Sequence, residues 1–135
     1  GNMIDTIDKS AFKGLAKLEM LILSQNKLQQ LSAATFVELV DLQEVLLNAN
    51  EFETLSAGLF DGNKKMKRIW MQNNRLRIIE PQLFAPLTNL MLVNLKENAC
   101  IDELYRKQYR ETENLVADLN AKCIPGAKPK PAAGA

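Results

Sequence analysis

The chain has 135 residues, a length suited to one domain. Apolar residues make up 47% and charged residues 24%, an ordinary globular balance, and the net charge of +1 supplies no field that would steer it to nucleic acid or an anionic membrane. Histidine is absent, which removes the commonest general base and the Ser-His and Cys-His dyads, and no apolar run is long enough to span a membrane.

Residues 1–17 carry Asn2, Ile4, Ile7, Phe12 and Leu15, and this spacing returns further along. Three complete units follow without insertion or deletion, over 18–41, 42–65 and 66–89, each of 24 residues. A fourth starts at Leu90 and breaks off at Cys100. Counted from its first residue, position 1 is Leu18, Leu42, Met66 and Leu90. Position 4 is Leu21, Val45, Ile69 and Val93, and position 6 is Leu23, Leu47, Met71 and Leu95. Position 9 is Asn26, Asn50, Asn74 and Asn98. Position 11 is Leu28, Phe52, Leu76 and Cys100, and position 19 is Phe36, Phe60 and Phe84. Asn2 then falls at position 9, so the chain enters a repeat after the place of its strand.

Each mark has a cause. Alternation at positions 4 and 6 puts two apolar side chains on one face of a short strand. The asparagine serves buried backbone groups where the chain turns away, and stacked copies would form a ladder. The phenylalanine fills the wide outer part of the coil. One unit cannot close its own core; only stacking does that.

The pattern L-x-x-L-x-L-x-x-N-x-L is the signature of a leucine-rich repeat, and its spacing with Phe at position 19 resembles the typical extracellular class. That resemblance implies an α/β solenoid: a right-handed coil, a parallel sheet on the concave face, and short helical turns or loops on the convex face. Residues 1–97 are read as the repeats, with 90–97 the last strand, 98–124 as a helical C-terminal cap and 125–135 as a flexible tail. The missing N-terminal cap implies a C-terminal portion of a longer repeat protein, or a naturally short form. It also predicts an exposed apolar edge near Leu18, Leu21 and Leu23 that invites pairing with another chain.

On the convex side, residues 32–39 place Ala33, Phe36, Val37 and Leu39 as in a short helical turn. Position 22 is Leu15, Leu39 and Leu87 but Asn63 in one repeat, within the turn-forming run Asp61-Gly62-Asn63, which predicts a looser loop there. Pro81 and Pro86 rule out one long helix in the next. In the cap, Asp102 is placed to start a helix at Glu103, with Leu104, Leu115, Val116 and Leu119 as its apolar face. The segment 125–135, rich in Pro, Gly, Ala and Lys, reads as a disordered linker.

The two cysteines, Cys100 and Cys123, flank the cap and read as one disulfide, worth roughly 3 kcal/mol by chain entropy. A disulfide implies a secreted or extracellular setting; two reduced buried thiols in the cytosol is the alternative. The run LKENACID followed by a helical stretch and a closing cysteine looks like the caps of secreted insect leucine-rich-repeat proteins, mosquito leucine-rich immune proteins among them. It is similar more widely to Toll-type ectodomains and lymphocyte-receptor-like repeat proteins. Those caps usually carry four cysteines.

No catalytic constellation stands out. The carboxylate pairs Asp102/Glu103 and Glu111/Glu113 read as solvated helix residues, and two cysteines cannot build a structural zinc centre. No glycine-rich phosphate loop occurs, so no cofactor is expected. What remains is the face of the sheet opposite the core. Position 3 supplies Met20, Glu44, Arg68 and Leu92; position 5 supplies Ile22, Leu46, Trp70 and Asn94; position 7 supplies Ser24, Asn48, Gln72 and Lys96. Ile22, Leu46 and Trp70 form an apolar row with the composition of an interface hot spot, set against the plainer fact that Ile and Trp favour strands anyway. Lys64, Lys65, Lys67, Arg68, Arg75 and Arg77 make one coil basic, a solvated face or a site for an anionic partner. The expected function is non-catalytic binding of a protein ligand or co-receptor through the concave sheet, with innate immunity as the role the resemblance implies. The rival is a structural scaffold that forms a homodimer through the uncapped N-terminal edge.

Overall fold

The structure, a computed structural model, describes residues 2–125. Each repeat gives three residues to one sheet: β1 Met20–Ile22, β2 Glu44–Leu46, β3 Arg68–Trp70 and β4 Leu92–Asn94. These strands pair in chain order and in parallel, so Met20 lies beside Glu44, Glu44 beside Arg68 and Arg68 beside Leu92. The middle residues Val45, Ile69 and Val93 are fully buried, while their strand neighbours are half-exposed, as alternation requires.

Leu42, Leu47, Phe52, Met66, Met71, Leu76 and Leu95 fill the interior behind the sheet. On the far side the phenylalanines form a spine: Phe36 stacks on Phe60 at 6.1 Å between ring centres, and Phe12 lies 6.1 Å from Phe36. No coil contains its own core; each one finishes its neighbour's.

The expected ladder is present. Asn74 Nδ2–H donates to the carbonyls of Leu47 and Met71 at 3.1 Å each, and its Oδ1 accepts from the Phe52 N–H at 3.2 Å. Asn50 and Asn98 repeat the arrangement one coil either side. Just before each asparagine the chain turns through a left-handed residue: Gln25, Ala49, Asn73 and Glu97 have φ of 58, 57, 58 and 56°. Gln, Ala and Glu resist that conformation, so at those three the ladder and the core must hold it.

The loop at Asp61-Gly62-Asn63 is tight rather than loose, a correction to the expectation. Asn63 is fully buried, and its Nδ2 donates to the carbonyls of Phe36 and Leu39 at 3.0 Å each. It stands where other coils place leucine and exchanges an apolar contact for two bonds to the preceding coil. In the next coil Pro81–Leu83 makes one 3-10 turn, in keeping with its prolines. Residues 33–38 form turns rather than a helix, with Phe36 and Leu39 buried and Val37 exposed.

The cap departs from its predicted form. No helix begins at Glu103; β5, Leu104–Arg106, pairs antiparallel with β4, Val93 beside Tyr105. The open edge of β4 decides this, because an unpaired edge offers backbone groups to any strand that can reach it. Asp102 accepts from the Glu97 N–H at 2.9 Å instead of capping a helix. Two 3-10 turns, Lys107–Tyr109 and Glu111–Asn114, lead into helix α1, Leu115–Lys122. Leu115 and Leu119 are buried, but Val116 is exposed and Leu104 belongs to the strand. Residues 126–135 of the expected linker lie outside the described residues.

Cys100 and Cys123 are bonded, with Cα atoms 5.2 Å apart, both buried. The Ile79 N–H donates to the Cys123 carbonyl at 2.8 Å, so the bond also ties the cap to the third coil. Removing the bond with Cys100→Ser and Cys123→Ser together is expected to cost about 3 kcal/mol. Urea unfolding of the variant, or of the reduced wild type, reads this directly.

Tyr105 is 3% exposed, and its hydroxyl donates to Asp118 Oδ2 at 2.7 Å. Burial first, then the Asp118 bond, pushes its ionisation up. The folded state therefore resists losing this proton. The resulting stability is complete below the free tyrosine value of about 10 and is lost as pH rises above it. Tyr105→Phe should flatten that alkaline decline while costing about 1 kcal/mol at neutral pH. Denaturation at pH 7 and pH 11 separates the two effects.

Candidate interaction face

The sheet turns one face to solvent. Along its middle row Ile22 is 60% exposed, with Leu46 and Trp70 half-buried beside it. These three side chains stand opposite the interior leucines, as alternation required. The row runs on through Asn94 to Leu104 of β5. The neighbouring row is Met20, Glu44, Arg68, Leu92 and then Arg106. Met20 is 48% exposed and the other four are half-buried.

Trp70 does more than fill space. Its indole Nε1–H donates to Glu44 Oε2 at 2.8 Å, one strand away on the diagonal. This bond fixes both side chains and joins the apolar row to the polar one. Ser24, Asn48 and Gln72 form a half-buried third row, with Lys96 exposed at its end. The side-chain oxygens of Asn48 and Gln72 are buried with no hydrogen-bond partner among the described residues.

The cap extends the face, which the chain pattern alone did not reveal. Arg106 Nε and Nη2 donate to the two oxygens of Glu111 at 2.9 Å each, and its guanidinium lies 4.4 Å from the Tyr109 ring centre. The Arg106 bonds hold the Glu111 carboxyl below its ordinary value, and Glu111 in turn raises the guanidinium's. A strand at 104–106 hides in a polar run, so no periodic signal marks Leu104 or Arg106 as members of this face.

Half of the six cations of the basic coil are paired with acids of the coil before it. Lys65 pairs with Asp41 at 2.8 Å, Arg77 with Glu53 at 3.1 Å and Arg75 with Glu51 at 3.9 Å. Exposed pairs of this kind add little stability, but they offset half of the charge of the patch. Lys64, Lys67 and Arg68 have no ion pair among the described residues. Among those residues no group of three His, Cys, Asp or Glu side chains could hold a metal ion. No helix among them is long and apolar enough to cross a membrane.

The leucine rich repeat family profile matches residues 1–52 and 41–99. The chain belongs to the leucine-rich repeat family. Solved leucine-rich repeat structures agree. The chain is 31% identical to TLR13 in a TLR13–ssRNA13 complex, with a TM-score of 0.68 over 71% of this chain and 14% of that one. It is 26% identical to a chain in the Toll–Spatzle complex of Drosophila development and innate immunity, with a TM-score of 0.70 over 72% and 13%. It is 28% identical to the leucine-rich repeat domain of APL1B, with a TM-score of 0.69 over 71% and 28%. The leucine-rich repeat chain thus spans about a seventh to a quarter of the length of these relatives. No curated protein matches it. The resemblance to Toll-type ectodomains expected from the cap is therefore shown.

Proposed function

We propose that this leucine-rich repeat domain binds a protein partner, without catalysis, through the solvent-facing and concave side of its sheet. The row Ile22, Leu46 and Trp70 carries the reading: three apolar side chains in register on the outer face, the last held by Glu44. A large aromatic anchored beside exposed aliphatic groups is the usual make-up of a binding hot spot. Solenoids present such faces as extended binding surfaces. The buried Cys100–Cys123 bond supports a secreted or extracellular setting. The likeness to a chain of the Toll–Spatzle complex, a hub in Drosophila development and innate immunity, supports recognition in innate immunity.

Trp70→Ala is expected to weaken capture of a partner from extracellular fluid by ~2 kcal/mol, with stability changed by no more than about 1 kcal/mol. Binding assays paired with thermal unfolding measure both. A large loss of stability with no separate loss of binding would make Trp70 a structural residue and end the reading. The self-association rival rests on Leu18, Leu21 and Leu23, which are half-buried where their counterparts Leu42, Val45 and Leu47 are fully buried. Light scattering over a concentration series decides it: a dimer that survives dilution and shields Trp70 favours the rival.

A further inference from the structure

We propose that the partner sets a single carboxylate on Arg68 and a bulky apolar side chain on Leu46 and Trp70, two residues away in an extended segment. The inference rests on the concave-face reading above and adds the chemistry of the occupant.

The argument starts from how this coil treats its other cations. Lys65, Arg75 and Arg77 each reach the acid one repeat earlier, Asp41, Glu51 and Glu53. By register the acid for Arg68 is Glu44. One oxygen of that carboxylate, Oε2, accepts from the Trp70 indole, and Arg68 has no ion pair among the described residues. The tryptophan therefore leaves a guanidinium half-buried and unmatched in the centre of the face.

Its surroundings suit a protein carboxylate. Leu92 lies beside Arg68 across the ladder and Trp70 two residues along its own strand, and Arg68 is half-buried between them. A guanidinium presents a planar fork that a carboxylate meets with two parallel bonds, and such bonds strengthen as water is excluded. The same row shows this pairing made internally, where Arg106 holds Glu111 through two 2.9 Å bonds. A polyanion fits poorly: it needs several cations in line, and Lys65, Arg75 and Arg77 are already paired. Residues two apart on a strand are about 7 Å apart, and so is the spacing asked of the partner's acidic and apolar side chains.

The test uses Trp70 itself, the sole tryptophan, as reporter. Peptides are selected by display on the chain from a random library lacking tryptophan, and affinities are read from Trp70 emission. The expected peptides carry Asp or Glu two residues from Leu, Ile or Phe. Arg68→Glu should weaken them at least thirtyfold, and changing the peptide's acid to lysine should restore most of that loss. Circular dichroism confirms that the variant is folded. Peptides lost on Ile22→Asp but indifferent to Arg68→Glu would overturn the carboxylate and leave the face standing. Peptides indifferent to both would overturn the face as well. A heparin oligosaccharide that binds and is lost on Arg68→Glu would make the occupant a sulfated glycan and overturn the inference. A selection that enriches no acidic–apolar peptide overturns it too.

Discussion

Asn74→Ala is expected to destabilise the chain by about 4 kcal/mol. The side chain is 8% exposed and makes bonds to two coils. Its removal leaves the Phe52 N–H with no acceptor in the interior, a cost of ~1–3 kcal/mol by itself. The carbonyls of Leu47 and Met71 each lose one of two donors, since Asn50 and Asn98 still reach them. Those two losses add roughly 1 kcal/mol each. Asn74→Asp is the sharper version. It keeps the acceptor for Phe52 but turns a carboxylate oxygen toward two carbonyls. The aspartate should be worse than alanine at neutral pH and recover toward it as acid protonates the carboxyl. Urea unfolding of both variants at pH 7 and pH 4 tests the order.

Gly62→Ala should cost a similar amount. A Cβ at this position would lie 2.5 Å from the Val37 carbonyl oxygen and 3.1 Å from the Val37 Cα. The obstacle is backbone of the preceding coil, which cannot swing aside like a side chain. Overpacking of this kind typically costs ~1–3 kcal/mol. Separating the coils there would also stretch the bonds from Asn63 to Phe36 and Leu39, worth about 1 kcal/mol each. The total comes to about 4 kcal/mol, enough to lower the unfolding midpoint by roughly 10–15 °C. Gly14→Ala is a useful control, because a Cβ there meets nothing within 4 Å. Its φ of 84° should make it mildly unfavourable on backbone grounds alone.

Sequence pattern carried the fold because every coil poses the same packing problem. Asn26, Asn50, Asn74 and Asn98 answer one need, and so do Phe36, Phe60 and Phe84. Where a residue's state came from a neighbouring coil, pattern failed. Asp61-Gly62-Asn63 has the composition of a free turn, yet its amide is buried against carbonyls of residues far back in the chain. Leu104-Tyr105-Arg106 becomes a strand because β4 has an edge to fill, and nothing in its own composition says so. The left-handed turn at Gln25, Ala49, Asn73 and Glu97 left no mark, since those four residues share no chemistry. On the outer face, alternation identified the rows. It could not show that Trp70 would reach diagonally to Glu44, because that depends on which side-chain rotamers the packed sheet allows.

The reversed direction of β5 has a consequence for how such a molecule can vary. A strand that runs backward takes up the last edge, so no coil can be inserted beyond it without dismantling the cap. Duplication or loss of the unit 42–65 leaves the coil that is bonded to the cap in place. Every unit gained would carry Arg106 and Glu111 about 4.8 Å further from Ile22. The exposed face of the sheet can thus be lengthened or shortened in fixed steps, while the terminating element stays the same.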